Sequence, residues 1–318
     1  MKLLISAALL TWFFKTQKID FSELARILGE VDFFCLTLAT LSWILLLALG
    51  GWRWWLLLGA MGVEARLWPC VRLTLAAVFF STISFGPLAA DGMRTWWASR
   101  YFEARLVPAV ISLVADRLAG LFALGLLCLC LFPAQWDVLM SQSETALVLL
   151  LVVFLLAGSA GMVVLSVVLR PSSGSGRRGF LKSLSFEARR REISAAVGTL
   201  WERPKTFLAV LLISLVIQIL SVASGVLTLL SLRIDFELLY GACMIPIINL
   251  LQSLPVTIMG LGVRESTAAV LFSHVTDSSA PALAFAMLNF VISLAGAAVG
   301  LFFWLTIRQQ QTASKFVE

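Results

Sequence analysis

Apolar runs long enough to cross a bilayer follow one another along almost the whole 318-residue chain. A spanning helix needs about 20 mainly apolar residues to cross a hydrocarbon core of about 30 Å. Runs at 33–52, 73–90, 106–132, 145–169, 206–232 and 278–307 reach that scale with few or no charges, the third interrupted by Asp116 and Arg117. A seventh, at 238–263, is as long but contains Pro246, Pro255, Gly260 and Gly262, residue types that break or turn a helix. Charged residues make up 13% of the chain, against about 25% in a soluble domain, and mean hydropathy is +0.97. These features predict an all-α polytopic membrane protein with about six to eight membrane helices, residues 1–318 forming a single membrane domain. The short apolar run at 3–14 is read as a first membrane helix, because no small-residue cleavage pattern follows it.

The basic excess, 24 Lys and Arg against 18 acidic residues, marks cytoplasmic loops in such a protein rather than a nucleic-acid partner. Five cysteines, without a CxxC pair, imply neither a disulfide framework nor a zinc site. No GxxxxGK[ST] motif is present, and the GxGxxG match at Gly174 to Gly179 sits in a basic loop without the strand that a dinucleotide site requires. The lone His274 leaves histidine-based acid and base chemistry without material. No cofactor, no metal and no enzymatic activity are expected.

Loop charges set the expected topology. The 170–205 loop carries nine Lys and Arg residues against Glu187, Glu192 and Glu202, and is expected in the cytoplasm together with the C-terminus, which carries Arg308 and Lys315. The 51–72 and 94–105 loops are also basic, so the 73–90 run between them starts and ends on one face. By the same reasoning everything from 233 to 277 starts and ends on the other face. Two re-entrant segments are therefore expected, near 73–94 in a first half (1–169) and near 236–276 in a second half (206–318). Irregular backbone at membrane depth is tolerated only where protein or a water-filled cavity surrounds it, and matched broken segments point to an inverted-repeat transporter with a site near the midplane. Upstream, residues 20–30 read as a short amphipathic helix at the interface, with Leu24, Ile27 and Leu28 on one face and Asp20 followed by Glu23 as a capping pattern.

Three clusters of ionisable residues lie in or beside the apolar runs: Asp91 with Arg94, Asp116 with Arg117, and Arg264 with Glu265. Such residues pair or face a cavity, because a charge at the centre of a spanning helix costs about 2.5 to 3.5 kcal/mol. Asp116 and Arg117 are adjacent on a helix and cannot face one another. The two broken segments share a pattern, with Pro87 leading to Gly92-Met93-Arg94 and Pro255 to Gly260 and Gly262-Val263-Arg264. Proline stops the helix, glycine turns the chain, and arginine offers a planar fork of donors suited to phosphate. Asn249 and Gln252, just before the Pro255 break, are expected to line the cavity. Gln218 and Asn289 are expected to hold helices together. Trp52, Trp54, Trp55, Trp68, Trp96, Trp97, Trp201 and Trp304 are expected to form an aromatic belt.

With PLAADGMR (87–94), DRLAGL (116–121) and LPVTIMGLGVRE (254–265), the chain resembles the transmembrane domain of the lysylphosphatidylglycerol synthase/flippase family. Its first motif departs from the family's glycine-rich form at Leu88, Ala89 and Ala90. The resemblance implies a lipid-translocating or lipid-binding role in a bacterial cytoplasmic membrane. It does not imply the synthase activity, which belongs to a separate soluble domain, and none is expected after Glu318. The resulting expectation is a flippase-like transporter for a phospholipid, glycolipid or polyprenyl-phosphate lipid. In it Arg94, Arg117 and Arg264 compensate the headgroup charge, while Asp91, Asp116 and Glu265 hold those arginines when the site is empty. The alternative is a non-transporting partner that presents lipid to a membrane glycosyltransferase or acyltransferase; homo-oligomers are compatible with either.

Overall fold

Asp20 opens the structure as its sequence predicts. Its carboxylate accepts from the backbone N–H groups of Ser22 and Glu23 and so caps α1 (Phe21–Gly29). The structure is a computed structural model that describes residues 20–83, 87–135, 203–253, 263–272 and 278–315. The expected segments at 3–14 and 145–169, most of the 170–205 loop, and Pro255, Gly260 and Gly262 lie outside the described residues. Leu24 and Ile27 of α1 are buried, and the helix packs on the protein, with Glu23 accepting from Ser278 Oγ at 2.5 Å.

Among the described residues there are nine α-helices and one 3-10 turn, and no strand. Four stretches are long and apolar enough to cross a membrane, namely Phe33–Ala60, Leu106–Gln135, Pro204–Ser231 and Ala280–Gln309. The protein is a multi-pass membrane protein. Helix α2 (Phe33–Ala60) begins at the Asp32 cap and continues well past residue 52. The charge of Arg53 points to a loop, yet the residue lies inside α2 because it has buried partners there.

The 73–90 run is not one helix. It is divided between α3 (Leu67–Ile83) and α4 (Pro87–Tyr101), which pack against one another. Gly92, expected to turn the chain, is instead inside α4. Similarly, the 94–105 loop is mostly helical.

After α5 (Leu106–Leu131), the second series comprises α6 (Pro204–Ser231), α7 (Leu238–Ser253), α8 (Val263–Phe272) and α9 (Ala280–Lys315). Each series reads long helix, two shorter helices, long helix. Their packing corresponds as well: α2 on α3 matches α6 on α7, α3 on α4 matches α7 on α8, and α4 on α5 matches α8 on α9. Across the series, α3 on α9 matches α7 on α5, α2 on α9 matches α6 on α5, and α2 on α5 matches α6 on α9.

Helices α2 and α6 lie side by side and antiparallel. Asp32 N–H donates to Ser231 O (2.8 Å) at one end, Ser224 Oγ donates to Ala39 O (2.9 Å) further along, and Arg203 Nη1 donates to Gly59 O (3.1 Å) at the other end. Two hydrophobic clusters mark these ends. One joins Val31, Leu229, Leu232, Tyr240, Phe272 and Ala280; the other joins Leu58, Cys70, Trp97, Ala104, Ala109 and Ile307. The α3–α4 pair therefore starts and finishes at the Ala60 end of the bundle, whereas α7–α8 starts and finishes at the Asp32 end.

Candidate functional site

Asp116 projects from α5 into the bundle, and its burial forces it to find cations on other helices. Arg53 Nε on α2 meets its Oδ1 at 2.6 Å, and Arg94 Nη1 on α4 meets its Oδ2 at 3.2 Å. All three residues are almost inaccessible. Asp91 extends the cluster, lying 3.8 Å from Arg94 Nη1 and accepting from Arg117 Nη2 at 2.9 Å. Arg53 also donates to Ser214 Oγ on α6 (3.0 Å), and the Arg94 guanidinium sits 4.6 Å above the Trp54 ring.

Four residues singled out in the sequence, Asp91, Arg94, Asp116 and Arg117, thus form one network. Asp116 and Arg117 diverge, as adjacent helix positions must, with Asp116 buried and the Arg117 side chain half exposed. Arg53 and Trp54 complete the network, and no sequence pattern assigns them to it. Trp54 and Trp97 do not form a belt, being fully or almost fully buried, whereas Trp52, Trp68 and Trp96 are exposed. Trp54 Nε1 donates to Ser112 Oγ at 3.1 Å.

Arg264 and Glu265 form a second site, at the start of α8. Both are 5% exposed, and Arg264 Nη2 meets Glu265 Oε1 at 3.0 Å. Arg264 lines a narrow cleft with Trp43 of α2, Ser221 of α6, Asn249 and Gln252 of α7 and Asn289 of α9. Its volume of about 20 Å³ holds about one water molecule. Asn249 Nδ2 donates to Ser221 Oγ (3.0 Å). Buried side-chain donors without a hydrogen-bond acceptor among the described residues occur at both sites, Arg264 Nε and Trp43 Nε1 at this one and Arg94 Nε and Nη2 at the first. Leaving such a donor unpaired costs about 1 to 3 kcal/mol.

Among the described residues, Arg94 is not one of those that line the Arg264 cleft. The two sites are joined by α2, which carries Trp43 at one and Arg53 at the other, about ten residues or ~15 Å apart. Gln218 bridges helices as expected, its Nε2 donating to Gly120 O at 3.0 Å. Asn289 instead donates to Phe285 O within its own helix (3.0 Å) and lines the cleft. Nothing in the sequence marks Trp43 as different from the other tryptophans.

The cleft is lined by arginine, indole and amide groups, with the Glu265 carboxylate paired to its arginine. Among the described residues, no three His, Cys, Asp or Glu side chains come together to hold a metal ion. Among curated proteins no match is found. A family model described as "Lysylphosphatidylglycerol synthase TM region" matches residues 1–300.

Proposed function

Since the chain belongs to the lysylphosphatidylglycerol synthase transmembrane-region family, whose function is tied to membrane lipid, we propose that it is a flippase-like lipid transporter. It takes an anionic or phosphate-bearing headgroup, of a phospholipid, glycolipid or polyprenyl-phosphate lipid, between two inverted halves. The observation that carries this reading is a buried arginine on a polar cleft, Arg264, whose Nε has no acceptor among the described residues. Arginine suits a phosphate by its planar fork, and the N-terminus of α8 adds the positive end of a helix dipole. Binding and movement of lipid are the whole of the proposed activity, with no covalent step.

Inverted halves are supported by the antiparallel contact of α2 with α6 and by the paired packing of the two series. In a membrane, α3–α4 and α7–α8 become re-entrant pairs entering from opposite faces. Arg66, Arg100, Arg105, Arg203 and Lys205 gather at the Ala60 end, which supports a cytoplasmic location for that end in a bacterial inner membrane. The Arg94 network supports the halves from within, and Arg117, half exposed at its edge, is the member positioned to meet a headgroup on its way in.

Arg264→Ala is expected to abolish translocation of fluorescent anionic phospholipid in proteoliposomes while the protein still elutes as a single species. Unchanged translocation removes Arg264 from the mechanism. The small cleft volume favours a second reading, a lipid-presenting partner of a membrane glycosyltransferase or acyltransferase. On that reading anionic lipid co-purifies with the protein, but reconstituted protein alone does not flip it.

A further inference from the structure

Helices α3 and α9 cross where one begins and the other leaves its apolar span, which closes at Gln309. They run antiparallel: Arg72 Nη2, near the start of α3, donates to Thr306 Oγ1 of α9 at 3.1 Å, while a Cβ on Gly300 would meet the backbone of Leu75 further along α3. Aromatic rings fill the crossing. Trp68 meets Phe303 edge-on at 6.0 Å, Phe79 stacks on Trp304 at 5.9 Å, and the Arg308 guanidinium lies 5.7 Å over the Trp304 ring. Neither helix carries an acidic residue, and the one nearest Arg72 in sequence, Glu64, is exposed in the turn before α3.

At 3.6 residues per turn, Thr306, Phe302, Leu305 and Arg308 follow one another around α9 over an arc of about 160°. The arc points away from α3, towards which Gly300 and Trp304 are turned. Phe302 and Leu305, in its middle, are 62% and 44% exposed. Arg308 is exposed at one edge, and Arg72 reaches the other edge at Thr306. Deeper in the span the stripe continues through Leu294 and Val291, 44% and 52% exposed. An apolar stripe thus ends between two guanidiniums, which is the layout of an acyl chain and its phosphate. We propose that this face of α9 holds a resident anionic phospholipid in the leaflet at the Ala60 end, with the phosphate between Arg72 and Arg308 and one chain along Phe302 and Leu305. Arginine matches phosphate through its planar fork, and basic side chains between membrane helices favour anionic headgroups. Trp68, 59% exposed beside Phe303, is a residue type that settles at the level of the headgroups. This lipid lies outside the bundle, apart from the Arg264 cleft, and fastens the start of α3 to α9 rather than being transported.

The test uses full-length protein in nanodiscs of equal parts phosphatidylglycerol and phosphatidylcholine, with the lipid that survives release read by native mass spectrometry. Wild type is expected to retain phosphatidylglycerol in preference to phosphatidylcholine. Arg308→Gln and Arg72→Gln are each expected to lower that retention about fivefold, the share of one basic side chain beside an anionic headgroup, and to leave phosphatidylcholine unchanged. Arg308 is exposed, so Arg308→Gln decides the matter where Arg72→Gln fails to fold. Arg264→Ala is expected to keep the lipid, which separates this site from the headgroup cleft. Wild-type retention in Arg308→Gln, or an equal loss of both lipids, overturns the inference. A loss in Arg264→Ala without one in Arg308→Gln also overturns it and leaves the headgroup reading standing. Wild-type protein that retains no phosphatidylglycerol overturns it as well, and a dimeric mass in that case assigns this face of α9 to a second copy of the chain.

Discussion

Arg53 shows how much of a membrane site is decided by partners distant in sequence. A carboxylate and a guanidinium buried to this degree are stable only together, and removing one of them leaves the other charge uncompensated, at a cost of about 3 to 5 kcal/mol. Arg53→Met is therefore expected to lower the thermal midpoint sharply in detergent, followed by fluorescence-detected size exclusion, and Arg53→Met with Asp116→Leu to recover part of the loss. Full stability of Arg53→Met alone would show that Arg94 suffices for Asp116. The Asp32 cap makes a different prediction. The Asp32 carboxyl is held below its ordinary value of 3.8 by the backbone N–H of Cys35, then that of Phe34. A depressed folded value means that the stabilisation is complete above the unfolded value and lost as pH falls through the folded one. Asp32→Ala should thus be less stable than wild type at neutral pH, with the gap closing below about pH 4. Asp91, Asp116 and Arg264 were visible in the sequence because charges stand out in apolar runs. Arg53 and Trp43 were not, since a charge at the end of an apolar run reads as a loop and a tryptophan in the middle of one reads as part of the span.

At the scale of elements, close contact by glycine separates the helix crossings that tolerate change from those that do not. A Cβ on Gly51 of α2 meets Val71 Cα of α3 at 2.5 Å, and one on Gly300 of α9 meets the Leu75 carbonyl oxygen of α3. Both obstacles are backbone, so α3 is held between α2 and α9 by two surfaces without room for a side chain. Gly51→Ala and Gly300→Ala should each destabilise by about 1 to 3 kcal/mol, the usual cost of overpacking, seen as a lower thermal midpoint. A Cβ on Gly92 of α4 meets nothing within 4 Å, and Gly92→Ala should be neutral or stabilising by about 0.5 to 1 kcal/mol. A large loss in Gly92→Ala would restore the turn that the sequence suggested there. The α1 cap was legible because it depends on residues a few positions apart. The extent of α2 and α4 was not, since their charged residues are neutralised by contacts with other helices.

For the whole molecule, the arrangement of ends decides between an ordinary series of spans and a pair of re-entrant hairpins. Four long apolar helices were legible from length alone; their antiparallel pairing depends on contacts such as Ser224 with Ala39 that no local pattern encodes. In a bilayer, an α3–α4 pair that starts and finishes at the Ala60 end leaves both flanking turns on one face, and α7–α8 leaves its entry turn on the other. Glu64, Glu103 and Asp235 are exposed in those turns. In a variant without the native cysteines, Glu64→Cys and Glu103→Cys are expected to react with a membrane-impermeant maleimide from the cytoplasmic face, and Asp235→Cys from the opposite face. If α3 crossed the membrane as an ordinary span, Glu64→Cys and Glu103→Cys would label from opposite faces. That result would remove the inverted arrangement.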